Sequence, residues 1–187
     1  MSLRSKLLPV SWAAATWSLP AATFATMPLG VFFAKAQGQH SNTALAYAAV
    51  FLALLLAALV VGFRVKTPLA KGAALGAVGF PIALILALSE LKRNRTGPQN
   101  VAPNAAYGPE SYVALIIATA ITSAVGVLAR PPLYGWALVL ALILGGVAIS
   151  TTGATRRVGT GILAAVALAF LLKCAVAVCL WLFHITT

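Results

Sequence analysis

Four stretches of this chain run 18 to 20 residues without a single charge: 44–63, 72–89, 112–129 and 133–150. A fifth, 159–183, is interrupted only by Lys173. A hydrocarbon core about 30 Å thick takes roughly 20 helical residues to cross. Inside it every backbone polar group must bond within its own segment, which leaves helices as the form for such runs. The pattern predicts an all-α, polytopic helical membrane protein with five transmembrane helices. Aromatic residues stand at several of their ends (Phe63, Tyr112, Tyr134, Trp136, Trp181, Phe183), where interfacial belts form. Composition agrees: hydrophobic residues make up 61% and charged residues 8% of 187, against about 25% charged in soluble domains.

The segment 1–43 is of another kind. Between Leu7 and Ala34 it carries no charge, but Pro9, Pro20 and Pro28 interrupt it. Arg4 and Lys6 ahead of it would suit a targeting peptide. A Pro-broken, membrane-embedded or surface-lying segment is the favoured reading, and a sixth span is the other. Charge bias separates the two. Five spans place eight basic residues on one side and four on the other, whereas six spans divide them six and six. The positive-inside rule therefore favours five spans with the N-terminus inside. The whole chain, 1–187, reads as a single integral membrane domain, in a bacterial plasma membrane or an organellar inner membrane. Residues 90–111 form its only sizeable polar loop, read as irregular coil.

The formal net charge is +11, from 13 Lys and Arg against two acids, Glu90 and Glu110, with no Asp. The basic residues cluster between apolar runs: Arg64, Lys66 and Lys71; Lys92, Arg93 and Arg95; Arg156 and Arg157. Anionic lipid headgroups are their expected partners, at about 1 kcal/mol per residue near the surface. Nucleic acid is not. Arg156 and Arg157 precede a helical run and invite a phosphate; plain topology signals would look the same. Asn94-Arg95-Thr96 matches a glycosylation sequon too close to a span end to count.

Lys173 is the most informative residue. A charged Lys at a span centre costs about 2.5–3.5 kcal/mol on insertion scales. Ala165, Ala169, Lys173 and Ala177 fall four apart on one ridge, and small residues let another helix come close. That places Lys173 at a helix interface. Thr119, Thr122, Ser123 and carbonyls near Pro81 are the internal partners available. A carboxylate of another subunit, an anionic ligand, water, or partial snorkelling are the alternatives; a Schiff-base role lacks its counter-ion. Gly72 and Gly76, extended by Gly79, make a GxxxG face for packing, as do Ala118, Thr122 and Gly126. Trp12 and Trp17 read as interfacial or packing residues, and Cys174 and Cys179 as free thiols.

Absences decide the rest. No span holds an acid, as proton pumps require. His40 and His184 lie outside the spans, too few for haem or a metal. No nucleotide loop or catalytic triad can be assembled. The sequence thus predicts no enzyme and no cofactor. It predicts a non-catalytic accessory or scaffold subunit of a larger membrane complex, packing against other membrane subunits and binding anionic lipid. A small homo-oligomeric channel or transporter for an anion or anionic lipid is the alternative. A lipid-modifying enzyme working through Glu90 or Glu110 comes third.

Overall fold

The computed structural model describes residues 9–22, 67–77, 79–96, 105–128 and 131–185. It also describes seven positions between 49 and 64: Ala49, Leu52, Ala53, Leu56, Ala57, Val60 and Arg64, all helical and exposed. The described residues are helical, with no strand. We number the helices α1 (12–22), α2 (Pro68–Ala77), α3 (Phe80–Thr96), α4 (Pro109–Leu128), α5 (Pro131–Ile149) and α6 (Gly153–Ile185). The expected span 44–63 lies largely outside the described residues, as does Lys66.

Two helices are long and apolar enough to cross a membrane, Pro109–Gly126 and Gly153–Cys174. Five straight spans are more than the described residues carry. Leu133–Ile149 is apolar but has 17 residues, about 25 Å of helix. The expected span 72–89 is broken into α2 and α3, which are bent by 118° relative to each other. Pro81 is the cause, and it does more than kink. As the second residue of α3 it needs no intrahelical donor, so it starts a helix cleanly. Gly79 N–H meanwhile reaches the Ala74 carbonyl at 3.4 Å, an i to i−5 bond that closes α2.

The core of the bundle is α4, α5 and α6, and glycines set its spacing. A Cβ on Gly161 would run into the Ser111 carbonyl and lie 2.8 Å from Ala114 Cβ. On Gly159 it would lie 2.7 Å from Ile149 N, and on Gly145 2.8 Å from Leu163 Cδ2. The pairings rise together in α4 and α6, and run oppositely in α5 and α6. The three helices therefore go up, down and up. Gly153, with φ +69°, turns the chain tightly between α5 and α6 in a conformation that glycine adopts without strain. Helix α6 thus begins at Gly153, six residues earlier than the expected 159, and takes Arg156 and Arg157 into its first turns.

The short helix α1 packs into this bundle against α2. A Cβ on Gly72 would meet the Ser11 carbonyl, with Ala14 Cβ at 3.2 Å; on Gly76 it would meet the Ala15 backbone. Gly79 instead faces Leu75 of its own segment. Ala15, Leu75, Ala83, Ala87, Tyr112, Leu115, Ala164 and Ala165 form the buried apolar cluster. The outer face of α5 is the opposite case: Leu133, Trp136, Leu140, Ile143, Leu144 and Val147 are all exposed.

Candidate functional site

Polar side chains collect at one end of the bundle, where α4 and α6 begin and α3 ends. The local sequence makes this end. Gly108 precedes α4, Pro109 opens it at a position that needs no N–H, and Glu110 sits in the first turn against the positive end of the helix dipole. Ser111 completes the cap: its Oγ accepts from Gly108 N–H at 3.3 Å and donates to the Gly108 carbonyl at 2.7 Å. Arg157, one turn into α6, crosses to Glu110. Its Nη1 lies 3.1 Å from Oε2 and 3.3 Å from Oε1, and the two side chains are 4% and 15% exposed. Gly108 leaves the space for this, since a Cβ there would lie 2.6 Å from Glu110 Oε2 and 2.7 Å from Arg157 Cδ.

The rest of this end ties α1 and the loop before α4 to the same place. Trp12 Nε1 donates to Glu90 Oε2 at 3.2 Å, and its ring lies 6.2 Å from that of Tyr112. Trp17 Nε1 donates to the Tyr107 hydroxyl at 2.9 Å. Thr16 Oγ1 lies 3.1 Å from Ser111 Oγ and donates to the Trp12 carbonyl at 2.8 Å. Thr160 Oγ1 reaches the Ala106 carbonyl at 2.8 Å. Both carboxylates of the chain are therefore held in tertiary contacts, one by an indole and one by a guanidinium.

Several predicted headgroup residues need correction here. Arg157 does not face headgroups: it is buried on Glu110. Lys71 is buried as well. Arg64, Lys92 and Arg93 are exposed and Arg156 is partly so. Residues 90–96 are helical rather than coil, because nothing between Leu91 and Thr96 breaks a helix. Arg95 is on that helix too.

Lys173 also differs from expectation. It is exposed on the surface of the chain, and its ammonium lies 4.0 Å from the centroid of the Tyr134 ring on α5. That ring, not Thr119, Thr122 or Ser123, receives the charge. An aromatic face attracts a cation by about 0.5–2 kcal/mol, which suits a chain with no acid at this depth. The alanine ridge splits: Ala165 and Ala169 are buried in the bundle, while Ala177 is exposed with Lys173. Cys174 is a free thiol.

The three hydroxyls do share a site. Thr119, Thr122 and Ser123 line a cavity of about 390 Å³ with Leu19, Phe80, Tyr134, Ala165 and Ala169. Thr122 Oγ1 donates back to the Ala118 carbonyl at 2.8 Å. Thr119 Oγ1 is buried with no hydrogen-bond partner. A second, apolar cavity of about 350 Å³ runs from Glu110 along Val113, Ile117 and Ile121. Among the described residues no group of three metal-ligating side chains converges.

Sequence reasoning missed Gly108, Gly161 and the Glu110–Arg157 pair. The Gly-Pro-Glu-Ser start of α4 was a readable helix signal; the pairing across 47 residues had none. Comparison with protein-family models, curated proteins and solved structures gives no match.

Proposed function

We propose that this protein is a non-catalytic, membrane-embedded subunit that packs within a larger assembly and holds anionic lipid at one end. The observation that carries the reading is the fate of the two carboxylates. Glu90 is bound by Trp12 and Glu110 by Arg157, so the acids that could move protons serve as fasteners between helices. The exposed face of α5, with Trp136 71% exposed, supports the same reading, since it offers lipid or another subunit a broad apolar surface. A bacterial plasma membrane or an organellar inner membrane, five spans, and partners among other membrane subunits belong to this proposal. The test is the mass of the native particle after gentle extraction. A hetero-complex well above the 19.2 kDa of the chain is expected; a lone monomer in its own membrane rejects the reading.

One observation favours a second reading, a small channel or transporter. The buried Thr119 hydroxyl has no partner within the chain and lines a cavity, so it can offer a hydrogen bond to a solute. In reconstituted vesicles this reading expects an anion flux that Thr119→Val lowers at least tenfold. Flux indistinguishable from protein-free vesicles removes it.

A further inference from the structure

The bend between α2 and α3 admits two interpretations, a broken span or a segment that turns back. The contacts of α1 decide between them. Ser11 N–H donates to the Pro68 carbonyl at 2.9 Å, at the start of α2. The next residue, Trp12, donates from its indole to Glu90 at 3.2 Å, near the end of α3. Two consecutive residues therefore hold both ends of the segment. A straight helix from 68 to 90 would part those ends by about 33 Å. Two arms of about 15 Å each, bent by 118°, bring them back to about 15 Å apart. The turn then lies about 13 Å in from the ends, close to the middle of a 30 Å hydrocarbon core.

Irregular backbone at that depth survives only under protein cover, and Gly79 at the turn has it, while the Phe80 and Pro81 side chains face outward. Gly79 is buried and bonded to Ala74. Gly76 lies against the backbone of Ala15 and the Ser18 hydroxyl of α1. The arms are also of equal reach, ten residues in α2 and about ten from Phe80 to Glu90.

We infer that α2 and α3 form a re-entrant hairpin, clamped by α1, that enters and leaves the bilayer through one face and gathers Arg64, Lys92, Arg93 and Arg156 there into one surface for anionic lipid headgroups. The inference rests on the membrane reading above and revises its span count, because the segment 72–89 then does not cross. It reverses one assumption of the charge count, which set 64–71 and 90–111 on opposite sides. With the hairpin, the segments 64–71, 90–111 and 151–158 share a side and hold eight basic residues, against four from 1–43 and Arg130 across the span 44–63. The positive-inside rule then assigns this face to the inside with the same eight-to-four bias that five straight spans provide, but on the side that holds 64–71.

The experiment is cysteine labelling of the full chain in sealed vesicles of both orientations, with Cys174 and Cys179 replaced by Ser. Thr67→Cys, Gln99→Cys and Thr152→Cys should react with an impermeant maleimide from the same side, and Arg130→Cys from the other. Thr67→Cys reacting with Arg130→Cys, opposite Gln99→Cys, overturns the hairpin; Lys66→Cys repeats the test if Thr67→Cys does not fold. The lipid surface is read separately, by mass spectrometry of retained phosphatidylglycerol. Arg93→Gln should lower its retention about fivefold and Arg130→Gln should not; equal retention in the two variants overturns the surface. Same-side labelling of a protein that proves monomeric ends the subunit reading and leaves the hairpin intact.

Discussion

Replacing Arg157 by Leu should destabilise the protein by about 3–5 kcal/mol, because it leaves the Glu110 carboxylate without its partner in a site largely closed to water. Arg157 is 4% exposed and Glu110 15%, so solvent can replace little of the contact between them. Glu110→Leu should cost a similar amount for the converse reason. The double variant Glu110→Leu/Arg157→Leu should recover most of the loss, since two apolar side chains of fair size need no desolvation offset. A coupling above about 2 kcal/mol in the double-mutant cycle is expected of groups in direct contact. The measurement is reversible unfolding in mixed micelles. Single variants that cost under about 1 kcal/mol would place the pair among exposed salt bridges and remove its role as a fastener.

That pair illustrates where the sequence ran out. Helical class, membrane association and the small-residue faces were legible because they are local. Charge-free runs mark apolar helices, and Gly72 and Gly76 lie one turn apart on a face that α1 indeed approaches closely. The Glu110–Arg157 bond joins residues 47 apart, and nothing near either one marks the other. Reading Arg157 as a headgroup ligand followed from its cluster with Arg156; only the packing of α4 on α6 tells the two neighbours apart.

Pro81 shows a second kind of limit. A proline in an apolar run either kinks a helix or starts a new one, and the residue is the same in both cases. What decides is whether the preceding helix has a way to end, here the bond from Gly79 to Ala74, and whether something holds the two pieces back to back, here Ser11 and Trp12. Lys173 is a third. Two alanines of its ridge, Ala165 and Ala169, are buried in the bundle. The ridge leaves the bundle one turn later, where Tyr134 stands at the start of α5. A sequence with no acid in its spans gave no reason to look for an aromatic face in place of a carboxylate.

Gly161→Ala should be among the most damaging single methyls that can be added to the described residues. In an exposed helix the change would help, because alanine is the better helix former by about 1 kcal/mol. At Gly146 on α5, where an added Cβ meets nothing within 4 Å, that gain should be seen as a small stabilisation. At Gly161 the same atom strikes the Ser111 carbonyl and the Leu115 N at 2.9 Å. These are backbone atoms of α4 and cannot rotate aside. Helices α4 and α6 must separate, and the separation is leveraged by two features. Gly159 and Gly161 lie two residues apart, about 200° around the helix, so one faces α5 and the other α4. This stretch of α6, about two turns in, is therefore wedged between both neighbours and cannot slide away from one without entering the other. The same shift stretches the Glu110–Arg157 contact one turn below. Overpacking of about 1–3 kcal/mol should therefore combine with loss of the ion pair. We expect Gly161→Ala to cost at least 3 kcal/mol, and Gly161→Leu to leave no folded protein in detergent extracts. The contrast with Gly146→Ala carries the argument: if the two variants unfold at the same denaturant concentration, the close approach of α4 and α6 is not what holds this bundle together.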